Sequence, residues 1–269
     1  MSVLDVDVAD GVATITLNRP DKRNAMDPEM VVRLADAWHR VREDDGVRVA
    51  ILTGAGPETF SAGGDLRRLI TLLTRARPAE DEWDERLLAD QRGVMNSAML
   101  RVPSFPKPIV AAVNGLCFAG GLELALAADL RVVADHARLA LSEVQRGLIP
   151  GGGSVARLPR MVPAPIAREL LLLGEPVTAA RAYDVGLVNA VVQGPEVLPR
   201  ARAMADRIAR NAPLAVAAVR EAVAEAPGVG LEEAFRREDE AVRRIMRSAD
   251  AREGARAFAE RRDPRYTGT

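Results

Sequence analysis

"VRVAILTGAGPETFSAGGDL" runs from Val47 to Leu66. Its first half carries the apolar run Val49–Leu52, rich in β-branched residues, the pattern of a strand buried on both faces. Its second half ends in Gly63-Gly64-Asp65. A glycine pair at the mouth of a buried strand fits a plain turn, a phosphate loop or a backbone amide aimed at a ligand. The arrangement recurs in "KPIVAAVNGLCFAGGLELALAAD", Lys107–Asp129. There an apolar strand is stopped by Asn-Gly, and Gly120-Gly121 opens a Leu/Ala-rich helix. Strands alternating with helices in this way predict an α/β fold.

Outward from these two stretches, residues 3–8 and 12–17 flank "ADG" and read as a β-hairpin. Residues 26–44 read as a helix capped by Asp27, with Pro28 in its first turn. The charged stretch 67–102 reads as a short helix, a loop and a longer helix. "LRVVAD" and "ARLAL" are short strands, and "GLIPGGGSVARLPR" is a glycine loop leading into a helix. From about residue 163 helical spacing replaces strand signals. The division expected is an α/β core over 1–195 and a helical region over 196–269.

The chain has 269 residues, 48% of them hydrophobic, enough for a large single core. A net charge of -1 disfavours nucleic acid, whose binding neutralises many phosphates. The lone cysteine, Cys117, excludes an internal disulfide and fits a reducing, cytoplasmic setting. No apolar run is long enough to cross a membrane, and the acidic start does not resemble a secretion signal. His39 and His136 stand isolated, against a histidine-based metal site or triad.

Three catalytic or cofactor motifs fail on inspection. "GAGPETFSAGGD" lacks the third glycine of the dinucleotide fingerprint, and "GGGSVARL" lacks the Lys-Ser/Thr of a P-loop. No G-x-S-x-G elbow occurs. What remains is two glycine turns, 62–65 and 119–121, and two acids in apolar surroundings, Glu123 and Glu143. Glycine amides can approach a ligand closely, and two that converge on one oxygen make an oxyanion hole. Two structural turns are the plain alternative. A carboxylate in an apolar segment is buried or lines a cavity, and burial moves a carboxyl toward useful acid/base chemistry. Each Glu could instead cap local amides. Taken together, the four features suit holding an enolate oxygen while a proton and water move at neighbouring carbons.

These motifs resemble the crotonase (enoyl-CoA hydratase/isomerase) superfamily. The likeness covers "VATITLNRPDKRNAM", "VAILTGAGPETFSAGGDL", "PKPIVAAVNGLCFAGGLELALAADLRV", "LALSEVQRGLIPGGGSVARLPR", "AYDVGLVNAVV" and "EGARAFAERRDP", nearly the whole chain. It implies a ββα-spiral core, a helical C-terminal region that forms trimers or dimers of trimers, and an acyl-CoA thioester substrate. By motif position, the oxyanion-hole amides are those of Gly64 and Gly120. Ala62, Gly64, Asp65 and Leu66 line the CoA stretch. Lys22, Arg23 and Ala25 match the segment meeting the nucleotide end of CoA. Phe258 and Arg261 match tail positions that reach a neighbouring subunit's CoA, although the family often has Lys where Arg261 stands.

Isomerase-type members commonly need only the acid matching Glu143, and hydratases keep both. The resemblance therefore implies hydration of trans-2-enoyl-CoA, with Glu123 activating water, Glu143 serving the α-carbon and the Gly151 backbone orienting the water. Another acyl-CoA isomerase, dehydratase or lyase is the alternative. No metal or redox cofactor is expected, coenzyme A being part of the substrate. The segment 67–106 is longer than in simple hydratases and is expected to border the acyl pocket.

Overall fold

The computed structural model describes residues 2–101 and 105–269, so the last part of segment 67–106 at 102–104 lies outside the described residues. The hairpin forms as expected. β1 (Leu4–Ala9) pairs antiparallel with β2 (Val12–Leu17) across Asp10 and Gly11, both at positive φ. A two-residue turn of that kind matches the natural twist of the strands. α1 (Pro28–Glu43) follows, with the Asp27 side chain accepting from the Met30 amide at 2.9 Å.

The main sheet has the order β1-β2-β3-β5-β7-β10. β3 (Val49–Gly54) and β5 (Ile109–Val113) are buried throughout, as strands covered on both faces must be. β7 (Leu130–Ala134) continues the parallel set. A second sheet has the order β4-β6-β8-β9, built from β4 (Thr59–Ser61), β6 (Leu116–Phe118), β8 (Arg138–Ala140) and β9 (Val177–Thr178). Its first three strands are parallel neighbours, with Ser61 opposite Cys117 and Phe118 opposite Ala140.

The two sheets add strands to the sequence reading in two places. α5 (Gly120–Ala127) starts at the glycine pair as read, and Leu116–Phe118 before it pair as β6, a strand the sequence reading did not contain. Beyond residue 163, where strand signals fade in the sequence, two short strands still form: β9, and β10 (Ala190–Val192) parallel to β7 in the main sheet. In the 67–102 stretch, a π-turn over Leu66–Ile70 runs into α2 (Thr71–Leu73). The single longer helix is two, α3 (Glu82–Ala89) and α4 (Gln91–Ala98), broken at Asp90, whose side chain accepts from the Gly93 amide and starts the second. α6 (Ser154–Arg157), α7 (Ala164–Leu173) and α8 (Ala179–Asp184) complete the middle of the chain.

α9 (Val197–Ala209) lays Val197, Ala201, Ala205 and Ala209 into the core. α10 (Pro213–Glu225), α11 (Leu231–Ile245) and α12 (Ala249–Glu260) follow. α11 buries no side chain in this chain and exposes Leu231, Phe235 and Val242, with Met246 exposed just past its end.

Candidate active site

The small sheet determines what comes together. β4 leads into Ala62-Gly63-Gly64-Asp65, β6 into Ala119-Gly120 and α5, and β8 into Ser142 and Glu143. Because these strands are parallel neighbours, all three exits open at one end of the sheet. Residues 57, 79 and more positions apart in the chain thus meet by strand pairing alone.

The two glycine turns touch. Gly63 sits at φ +91°, and a Cβ there would lie 2.7 Å from Ala119 Cβ and 2.9 Å from the Gly120 nitrogen. Only glycine fits that conformation and that gap. The peptides around Gly64 are tied to the preceding segment: Met26 donates to Gly63 O, and Asp65 donates to Met26 O, both at 2.8 Å. The Ala119 amide donates to Ala140 O at 2.8 Å, and Ala119 itself adopts φ 49°, ψ -125°, a costly backbone state for a residue with a side chain. Among the described residues, neither the Gly64 nor the Gly120 N–H has a protein acceptor. Both glycines line a cavity of about 700 Å³.

Arg19 braces the first turn from behind. Its guanidinium bridges Asp65 and Asp27, each at 3.2 Å, and also donates to Ala25 O. Asp65 accepts from the Arg67 and Arg68 amides. Asp65 is therefore engaged in holding the turn, although it also lines the cavity. Buried Asn24 donates to Ala55 O and Thr59 O, fixing the same segment to β4.

The two acids differ in their surroundings. Glu123 is buried on α5, a helix apolar on nearly every side. Its Oε1 accepts from Ser154 Oγ at 2.8 Å and from the Ser154 amide at 3.3 Å. Glu143 is buried with neither carboxyl oxygen hydrogen-bonded among the described residues. Its pKa is pushed up to about 7, first by burial; the Glu123 charge adds to this, and its own backbone amide and Arg146 oppose it. One carboxylate is thus held by donors while its neighbour favours its proton, an arrangement suited to a base and an acid acting together.

Of the residues singled out from sequence, Lys22, Arg23, Ala25, Ala62, Gly64, Asp65, Leu66, Gly120, Glu123, Glu143 and Gly151 all line this one cavity. Phe258 and Arg261 do not; Phe258 is 87% exposed on α12 and away from it. Lys22 and Arg23 are exposed cations at its edge. The segment 67–106 borders the cavity as expected, through an apolar wall that includes Leu69, Ile70, Met95 and Met99. Sequence reasoning missed Gly63 as the spacer between the turns and Ser154 as the partner of Glu123. A buried Glu requires a donor somewhere, but nothing in the chain marks Ser154, 31 residues on, as the one. Among the described residues no cluster of metal-ligating side chains occurs, and no helix is long and apolar enough to cross a membrane.

A model of the enoyl-CoA hydratase/isomerase family matches residues 7–269. The chain belongs to that family. As a member of the crotonase superfamily it is an enzyme of acyl-CoA thioesters. It is 40% identical over 261 residues to a carnitinyl-CoA dehydratase of Salmonella arizonae, covering 96% of this chain and 95% of that one. Its fold is similar to that of an enoyl-CoA hydratase from Mycobacterium tuberculosis, with a TM-score of 0.87 at 40% identity over all of both chains. An enoyl-CoA hydratase from Bacillus anthracis aligns with a TM-score of 0.88 at 34% identity, over 99% of this chain and 100% of that one.

Proposed function

We propose that this crotonase-superfamily enzyme reversibly adds water to a trans-2-enoyl-CoA, giving a 3-hydroxyacyl-CoA. The observation that carries this is the unlike pair of acids, Glu123 tied to Ser154 and Glu143 unpartnered, facing one cavity with two free amides. The Gly64 and Gly120 N–H groups hold the thioester oxygen, where negative charge develops. Glu123 takes a proton from water as its oxygen bonds to the β-carbon. The double-bond electrons move into the thioester as an enolate. Glu143 then delivers its proton to the α-carbon, and the reverse steps eliminate water. Lys22 and Arg23 are placed to meet phosphates of CoA, with Ala25, Ala62, Asp65 and Leu66 along its path and the Gly151 backbone beside the water. The apolar side chains exposed on α11, with Phe258 on α12, support association of copies of this chain through the helical region, as a trimer or hexamer.

Dehydration of a carnitinyl-type substrate is the second reading, favoured by the name of the 40% identical relative. It would use the same two acids on a trimethylammonium-bearing chain. Cages for quaternary ammonium groups are built of aromatic rings. Among the described residues the cavity wall carries one aromatic side chain, Phe118, and is otherwise lined by Leu, Ile, Met and Ala in its apolar part. This supports an uncharged acyl chain.

The test is a panel of enoyl-CoA thioesters, from crotonyl-CoA upward, with carnitinyl-CoA assayed for dehydration beside it. Loss of the conjugated-thioester absorbance with the uncharged substrates is expected. Turnover of carnitinyl-CoA alone would favour the second reading, and turnover of none would reject both.

A further inference from the structure

We propose that Ser154 is a positioning residue for Glu123, assigning one carboxylate oxygen to the protein and the other to the water. This rests on the hydro-lyase reading above. Ser154 is fully buried, and both its hydroxyl (2.8 Å) and its amide (3.3 Å) donate to the same oxygen, Oε1. Two donors on one oxygen fix both the rotation of the carboxyl group and the side-chain conformation behind it. Among the described residues, Oε2 accepts no hydrogen bond. Gly152 lies against that second oxygen: a Cβ there would be 2.7 Å from Oε2 and 2.5 Å from Met99 Cε. The bare glycine keeps Oε2 clear on the cavity side, where Glu123 and Gly152 both line the wall.

The loop that carries Ser154 is itself pinned. Arg101 donates to Gly151 O at 2.7 Å. Arg157 donates to Gly152 O at 3.0 Å and to Leu100 O at 2.6 Å. Arg157 is half-buried near Glu123, and desolvation holds its pKa below the usual arginine value. The donors to Oε1 are therefore held in place before any substrate arrives, the condition for a carboxylate to meet water at a set angle. A buried serine could merely satisfy a buried carboxylate. The single-oxygen pattern and the cleared second oxygen point further, to an orienting role.

The experiment compares Ser154→Ala and Ser154→Gly with wild type in two assays. One is hydration of crotonyl-CoA. The other is exchange of the α-hydrogen of butyryl-CoA with deuterated water, which needs Glu143 and the oxyanion hole but no water activation. Both variants are expected to lose about 10-fold in hydration kcat, with KM within about twofold and exchange near the wild-type rate. Thermal midpoints near wild type confirm folding. Hydration at the wild-type rate in both variants would overturn the assignment. Equal loss of hydration and exchange would also overturn it, by showing a general structural role. A wild type that neither hydrates an enoyl-CoA nor dehydrates carnitinyl-CoA rejects the hydro-lyase reading and takes this assignment with it.

Discussion

Replacing Glu143 with Gln should make the protein more stable and far less active, and the gain in stability should be absent below pH 4.5, grow as pH rises to about 7 and be full above it. The carboxyl is buried without a hydrogen-bond partner, and its pKa rises from 4.5 to about 7. A folded state that holds a proton more tightly than the unfolded chain is favoured at low pH. Between pH 4.5 and about 7 the folded state binds more protons, so this group's contribution to stability is lost as pH climbs through that window. Above it the folded protein carries a charged, poorly solvated carboxylate. The full shift corresponds to about 3.5 kcal/mol, and the open cavity screens roughly half of it, leaving about 1–2 kcal/mol. A carboxamide resembles the protonated acid in shape and polarity, so Gln should match wild type below pH 4.5. At pH 8 its unfolding midpoint should lie about 2–4 °C higher. Turnover should fall by about 10²–10⁴-fold, the usual contribution of a positioned acid or base. Thermal scans at pH 4 and pH 8, paired with crotonyl-CoA hydration, read both effects. A pH-independent difference in midpoint, or a variant that keeps its rate, would refute the reasoning.

Other expectations follow from the same geometry. Gly63→Ala places a methyl at φ +91° against Ala119 Cβ and the Gly120 nitrogen, so denaturant titration should show a loss of about 2–4 kcal/mol. Gly120→Ala instead meets the movable end of Met26 and should fold within about 1 kcal/mol of wild type. Its methyl, 3.7 Å from the Gly64 nitrogen, should still cut turnover by at least about 10-fold. Hydration and dehydration both need one proton on the Glu123–Glu143 pair, so their kcat/KM profiles should superimpose and fall above about pH 7, as initial-rate assays in both directions would show. Arg77 pairs with the fully buried carboxylate of Asp84 behind the 66–74 wall. Arg77→Leu should therefore cost about 3–5 kcal/mol in a thermal or denaturant melt and change the preference among acyl-chain lengths.

Much of the site was legible because its chemistry needs residue types that stand out in an apolar sequence. Glu123 and Glu143 are acids inside hydrophobic runs, and the two glycine pairs follow buried strands. The hairpin and α1 carry their own signals in Asp10-Gly11 and in Asp27-Pro28. Of the small sheet only β8 was legible, in "ARLAL". β4 and β6 are three residues each and β9 is two, too short for any periodicity to register. Yet their pairing is what gathers the site. The division of labour within Gly63-Gly64 was equally hidden. Which glycine spaces the turns and which presents its amide depends on a contact with Ala119, 56 residues away. Arg19 and Ser154 likewise act across distances that sequence patterns do not span.

Hydration of crotonyl-CoA in deuterated water, read by mass spectrometry, tests the central claim most directly. Wild type should form a product that has gained one water and one carbon-bound deuterium beside the thioester. Glu123→Gln and Glu143→Gln should both form it far more slowly. Unchanged crotonyl-CoA with wild type, or full-rate product from Glu143→Gln, would contradict a reaction carried by this pair of acids.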